Sequence, residues 1–211
     1  MDEGKKIVVF LSGGGSNFKR IHKSIINKDI KGSIELLITN NSRSPAISYA
    51  QSYGLNTYIC NRAQYNDYKS YSIHLLDVLD NANPDLILLA GYIKKLPKLV
   101  ITRFNNKILN IHPSLLPKYG GKGFYGILVH KAVIDAKEKY SGATIHFVNE
   151  NYDEGPIIYQ KQIKVGRYDT PEVLATKVLK IEHHIFPLIV KYFCDDNIEW
   201  IDNKPIIKGA K

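Results

Sequence analysis

Asn110 and His112 stand two residues apart in ILNIHPSLLP, and an aspartate, Asp153, follows in NENYDEGP. Residues two apart on an extended backbone project to the same side, so the amide and the imidazole would face one point. A side-chain amide donates N–H bonds, and a protonated imidazole donates from both nitrogens. Two such donors converging on one place form an oxyanion hole for acyl transfer. No Ser–His or Cys–His nucleophile signature lies nearby, so the attacking group would belong to a substrate. Asp153, pairing with His112 across neighbouring loops, would raise the imidazole pKa. Plainer uses stay open. Asn110 can satisfy loop backbone, His112 can pack in a turn, and Asp153 suits the turn before Glu154-Gly155. His146, in ATIHFV, reads first as a satisfied strand histidine.

A second chemistry sits in SGGGSN, Ser12 to Asn17. Glycines let the backbone approach a ligand closely, and free amides at the start of the following helix attract an anion. The dinucleotide fingerprint would need Gly or Ala at position 18, where this chain has Phe18. No GKS or GKT follows, which excludes a P-loop. A single phosphate monoester cradled by the amides of Gly15, Ser16 and Asn17 fits better. The alternative is a tight glycine turn whose Ser or Asn merely caps a helix. No His, Asp or Glu set has metal spacing, so no metal is expected.

The elements that must position these groups follow from apolar periodicity. IVVFL (7–11), IELLI (34–38), NTYIC (56–60) and DLILLA (85–90) read as short strands, several buried on both faces. Helical patterns lie between them: Phe18 to Asn27, Ala46 to Tyr53 with Gly54 as C-cap, and Tyr68 to Leu79. KILNI is strand-like and leads into a loop bracketed by Pro113 and Pro117, with Asn110 and His112 placed at that loop. A helix at about 126–138, strands near 142–148 and 157–165, and a helix from Pro171 to about Phe193 come next. Pro171 suits the first helical position after Thr170. NIEWIDNKPII reads as a terminal hairpin turning at Asp202 and Asn203.

Strand–helix–strand alternation implies right-handed βαβ units. The expected fold is α/β: an open, mostly parallel twisted sheet with helices on both faces, Rossmann-like, ending in an antiparallel portion and a C-terminal helix. All of 1–211 is expected to form a single domain. The formal charge of +9, from 29 Lys+Arg against 20 Asp+Glu, favours anionic ligands, although no basic tract marks nucleic-acid binding. Two distant cysteines, no signal or transit character at the start and no membrane-length apolar run point to the cytoplasm.

IVVFLSGGGSN, LAGYIKKL, ILNIHPSLLPKYGGKG, IHFVNENYDEGPII and IEHHIFPL, in this order, resemble the phosphoribosylglycinamide formyltransferase family. NIHPSLLP marks the wider folate-dependent formyltransferase superfamily, and the GSN loop with the short single-domain length picks out this member. The resemblance implies formyl transfer from 10-formyltetrahydrofolate, as co-substrate, to the amine of phosphoribosylglycinamide in purine biosynthesis. It makes Asn110 and His112 the stabilisers of a tetrahedral oxyanion. Asp153 would hold His112 charged and order a water that relays a proton to the folate leaving group. It gives Gly15, Ser16, Asn17 and Glu182 to the ribose-phosphate substrate. The folate would meet Ile93, Lys94, Lys95 and Leu96, together with Asn110 and the loop Asn149, Glu150, Asn151, Tyr152 and Asp153.

Departures from the family pattern are the Ile93-Lys94 pair, where many members carry Met-Arg, and Tyr68, where some use an arginine. The GGKGFYG segment, Gly120 to Gly126, matches one branch and has the glycines of a mobile lid or of a flexible surface loop. The expected partners are these two small molecules, with no nucleic acid, no membrane, and a monomer or homodimer. Alternatives are another folate-dependent formyltransferase, such as a methionyl-tRNA formyltransferase, or a formyltetrahydrofolate hydrolase. Each would ordinarily carry a further domain, for which this sequence is expected to have no room. A non-catalytic nucleotide- or RNA-binding α/β module is the distant alternative, and it leaves Asn110, His112 and Asp153 without a task.

Overall fold

The first apolar run forms β1 (Lys5–Leu11), in which Ile7 to Leu11 are all fully buried. Burial on both faces is what a continuous apolar run without alternation encodes. The structure, a computed structural model, describes residues 4–209; the acidic Asp2 and Glu3 of the start lie outside them. The chain divides into two compact units, Met1–Leu109 and Asn110–Lys211.

In the first unit β1 is followed by α1 (Ser16–Ile26), β2 (Gly32–Thr39), α2 (Pro45–Ser52), β3 (Thr57–Ile59), α3 (Tyr68–Ala82), β4 (Leu86–Leu89) and α4 (Lys98–Arg103). β1 pairs in parallel with β2 on one side and β4 on the other, and β2 pairs in parallel with β3. The chain thus runs outward from β1 to β3 and then returns to β1's other flank. That reversal is the place where open α/β sheets bind ligands, at the carboxyl ends of the strands.

β5 (Ile108–His112) leads into the second unit, with α5 (Ile127–Asp135), β6 (Tyr140–Phe147), β7 (Ile157–Lys164), α6 (Pro171–Cys194) and the hairpin β8 (Ile198–Ile201) and β9 (Lys204–Ile207). β7 runs antiparallel to β6. The large sheet has seven strands in the order β3-β2-β1-β4-β5-β6-β7, mostly parallel, and the hairpin forms its own two-stranded sheet. This is the α/β architecture expected from the alternation of strand and helix.

Several local signals acted as their chemistry requires. Thr170 caps α6 by accepting from the Val173 N–H, with Pro171 at the first helical position. Asp202 and Asn203 both take positive φ, 48° and 60°, as a tight two-residue hairpin turn demands. Other details differ. The C-cap of α2 is Tyr53, and Gly54 is the left-handed residue just beyond it, with φ 67°. α4 has six residues, too few to display a helical period in sequence. Asn110 and His112 lie within β5 itself rather than on the loop after it, so strand hydrogen bonding extends further than the prolines suggested.

Candidate active site

β5 delivers Asn110 and His112 to its carboxyl end, two residues apart and on one face. The loop that follows is held by side chains from β6 and β7. Thr144 Oγ1 donates to the Ser114 carbonyl at 2.6 Å and accepts from the Leu116 N–H at 3.1 Å. Gln160 Nε2 donates to the Leu116 carbonyl at 2.9 Å, and Ser114 Oγ donates to the Lys118 carbonyl at 2.6 Å. The prolines limit the backbone, and these bonds decide where it goes.

Asp153 projects from the β6–β7 connection with φ 56°, a left-handed conformation that Asp tolerates better than most residues. Its Oδ2 accepts from the Gly121 N–H at 2.8 Å and stands 3.5 Å from His112 Nδ1. Its Oδ1 accepts from Asn110 Nδ2 at 3.3 Å. His112 Nε2 donates to the Tyr119 carbonyl at 2.8 Å. Asn110, His112 and Asp153, 43 residues apart at the extremes, therefore form one cluster. The Gly121 bond ties the GGKGFYG segment to it.

His146 belongs to the same cluster, although its sequence context read as a satisfied strand residue. Its ring is buried, with Nε2 3.0 Å from Asn110 Nδ2 and 3.6 Å from Asp153 Oδ1. The available signal was its position on the strand that feeds the Asp153 loop, which by itself does not say what the ring faces.

The electrostatics correct one expectation. Burial pushes the His112 imidazole below the ordinary histidine range, and this outweighs the upward pull of the Asp153 charge and the Tyr119 carbonyl. The neighbouring His146 adds to the downward shift. Asp153 does raise His112, but with His112 only 4% exposed the net direction is down. For Asp153 burial works upward; a hydrogen on His146 or a charge on His112 facing it would work downward, as does the Gly121 amide bond, and the net direction is down.

In the first unit, Gly15 is the N-cap of α1 in left-handed conformation, φ 70°, and no side chain caps that helix. The first-turn amides of Ser16 and Asn17 thus start a helix whose dipole favours an anion. Residues after β2 and β4 brace the loop. Ser12 Oγ donates to Asn40 Oδ1 at 2.6 Å, and Ser44 Oγ donates to the Gly13 carbonyl at 2.6 Å. The Ile93 N–H donates to Ser12 Oγ at 3.1 Å, and the Ser12 N–H donates to the Gly91 carbonyl at 3.1 Å. Loops from β1 and β4 thereby meet at the reversal of strand order.

Of the remaining candidates, Ile93, Lys94 and Lys95 are exposed after β4, whereas the Leu96 side chain is 2% exposed and faces the core. Asn149 accepts from the Asn151 N–H, and Asn151 Nδ2 donates to Glu154, so two hydrogen bonds within Asn149 to Glu154 shape this loop. Glu182 lies buried midway along α6. Among the described residues no group of three or more His, Cys, Asp or Glu could hold a metal ion, and no helix is long and apolar enough to cross a membrane.

The Formyl transferase family model matches residues 5–190. Over 209 residues the chain is 44% identical to the chloroplastic phosphoribosylglycinamide formyltransferase of Arabidopsis thaliana, covering 98% of this chain and 72% of that protein. The chain belongs to the phosphoribosylglycinamide formyltransferase family. A second member, from Haemophilus influenzae, is 33% identical over 212 residues, 98% of each chain. The solved glycinamide ribonucleotide transformylase 1 of Symbiobacterium toebii matches with a TM-score of 0.91 at 29% identity, covering 99% of this chain and 96% of that one. As a formyltransferase family member the protein is a one-carbon transferase, and the family match runs through both compact units.

Proposed function

We propose that the protein transfers the formyl group of 10-formyltetrahydrofolate to the amine of phosphoribosylglycinamide, with Asn110, His112 and Asp153 as the catalytic set. One observation carries this reading. Asn110 Nδ2 and His112 Nδ1 are aimed at the two oxygens of one carboxylate, at 3.3 and 3.5 Å. Those are long contacts, so a substrate oxygen gaining negative charge can take the Asn110 donor and, once the ring is protonated, the His112 Nδ1 donor as well.

The substrate amine attacks the formyl carbon, and the carbonyl electrons move onto oxygen. Asn110 and protonated His112 stabilise that oxyanion. As the carbon–nitrogen bond to folate breaks, Asp153 orders a water that carries the amine's proton to the leaving nitrogen. The substrate phosphate binds the amides of Gly15, Ser16 and Asn17, and Glu182 binds the ribonucleotide. The folate rests on Ile93, Lys94 and Lys95, on the backbone of Leu96 and on Asn149 to Asp153. No metal takes part.

We further infer that residues 1–211 work as one formyltransferase domain, because the family match is continuous across position 109. Two buried, unbridged cysteines support action in a reducing compartment, the cytoplasm. Imaging of the tagged protein checks this, since the Arabidopsis relative is named chloroplastic. The protein acts on small molecules as a monomer or homodimer, without nucleic acid.

The test is to follow folate deformylation with both substrates present and with each omitted. Turnover that needs both supports transfer. Turnover without the amine makes the protein a hydrolase, and none with both present removes the proposal.

A further inference from the structure

The register of β6 and β7 breaks at His146. Ile145 pairs with Tyr159, but His146 pairs with Ile157, leaving Ile158 unmatched. Such a bulge turns side chains away from the regular pleat and is frequent beside active sites. Here it accompanies a buried histidine whose two nitrogens both have partners.

The partners fix each other's polarity. His146 Nδ1 lies 2.9 Å from the carbonyl of Phe147, and a carbonyl only accepts, so Nδ1 carries the hydrogen. In the neutral ring Nε2 is then a bare acceptor. It stands 3.0 Å from the Asn110 side-chain amide, whose facing atom must be the donor, Nδ2. The second Nδ2 hydrogen is directed at Asp153 Oδ1, 3.3 Å away. A direct His146–Asp153 bond would need a hydrogen on Nε2 and spans 3.6 Å, too long to compete. The Phe147 carbonyl is itself held in place. A Cβ on Gly155 would collide with it, so the glycine of the Asp153 loop packs directly on that oxygen.

We propose that His146 is a positioning residue: its bare Nε2 holds the Asn110 amide with the N–H end toward Asp153, leaving the longer of the two N–H bonds free to pass to the substrate oxygen. This rests on the reading of Asn110 as an oxyanion donor. Without the acceptor, the amide can turn over and present its carbonyl oxygen to a developing negative charge.

Two measurements test it. In nitrogen-15-labelled wild-type protein, His146 should be neutral with its hydrogen on Nδ1, and a scalar coupling should cross the N–H···N bond from Asn110 Nδ2 to His146 Nε2. A hydrogen on Nε2, or no coupling, overturns the proposal. This arm needs no turnover, so it stands apart from whether formyl transfer itself is correct. In the kinetic arm, His146→Phe should lower kcat by up to roughly 10²–10³-fold, the cost of one oxyanion donor, with each KM within a few-fold. His146→Gln, whose side-chain carbonyl can accept near the Nε2 position, should recover most of that loss. In an Asn110→Ala background His146→Phe should cost little more, because its effect passes through Asn110. Equal losses in both backgrounds would make His146 a packing residue and overturn the assignment.

Discussion

His112 sits between two opposed influences: burial, which disfavours its cation, and the Asp153 carboxylate at 3.5 Å, which favours it. Burial wins, so the imidazolium required at the oxyanion step depends on what Asp153 contributes. Asp153→Asn keeps the shape and removes the charge, and the His112 pKa should fall further still. Turnover at neutral pH should drop, then recover in part on acidification until the substrate amine protonates. An NMR titration of His112 in both proteins decides it; an unchanged or higher pKa in the variant would leave Asp153 as a turn residue. Asn110→Ala removes a donor and leaves the Asp153 charge in place. It should lower kcat by roughly 10²–10³ with little change in KM, read from steady-state kinetics.

Loops and strand ends set what the elements tolerate. The two neighbouring glycines of the first loop have different tasks. A Cβ at Gly15 would meet Ala46 Cβ at 2.8 Å and Leu11 Cδ2 at 2.9 Å, and its φ is already left-handed. Gly15→Val should therefore lower the melting temperature and weaken every ligand together. A Cβ at Gly14 meets nothing within 4 Å. Gly14→Val should keep the melting temperature while its branched side chain keeps phosphate off the loop. Calorimetry with each substrate should then show loss for the ribonucleotide alone, and equal losses for both would remove the phosphate role. Gly155 is tighter still. Gly155→Ala forces backbone apart at the Phe147 carbonyl, and denaturant unfolding should show a loss of roughly 1–3 kcal/mol, the range for overpacking. Wild-type stability in that variant would mean that the loop relaxes freely.

Across the whole molecule, buried histidines make stability depend on acid. Burial, aided by the charge of His112, lowers His130 to about 4, and burial lowers His22 as well. An unfolded histidine titrates near 6.5, so between about pH 6.5 and pH 4 the unfolded chain takes protons that folded His130 refuses. Folding stability should fall as pH drops through that window, by at most roughly 3 kcal/mol for His130 alone. His130→Phe should flatten the slope in denaturant titrations at pH 7 and pH 4.5, and an unaltered slope would clear His130. The order of elements and several caps and turns could be read from the chain, because apolar periodicity and residues such as Thr170, Asp202 and Asn203 act over a few neighbours. The spacing of Asn110 and His112 likewise placed both on one face of an extended backbone. The net direction of the His112 shift, the entry of His146 into the cluster and the need for glycine at 155 were decided only by tertiary structure. Burial, strand register and close backbone approach are set by groups tens of residues away, whose distances no local pattern carries.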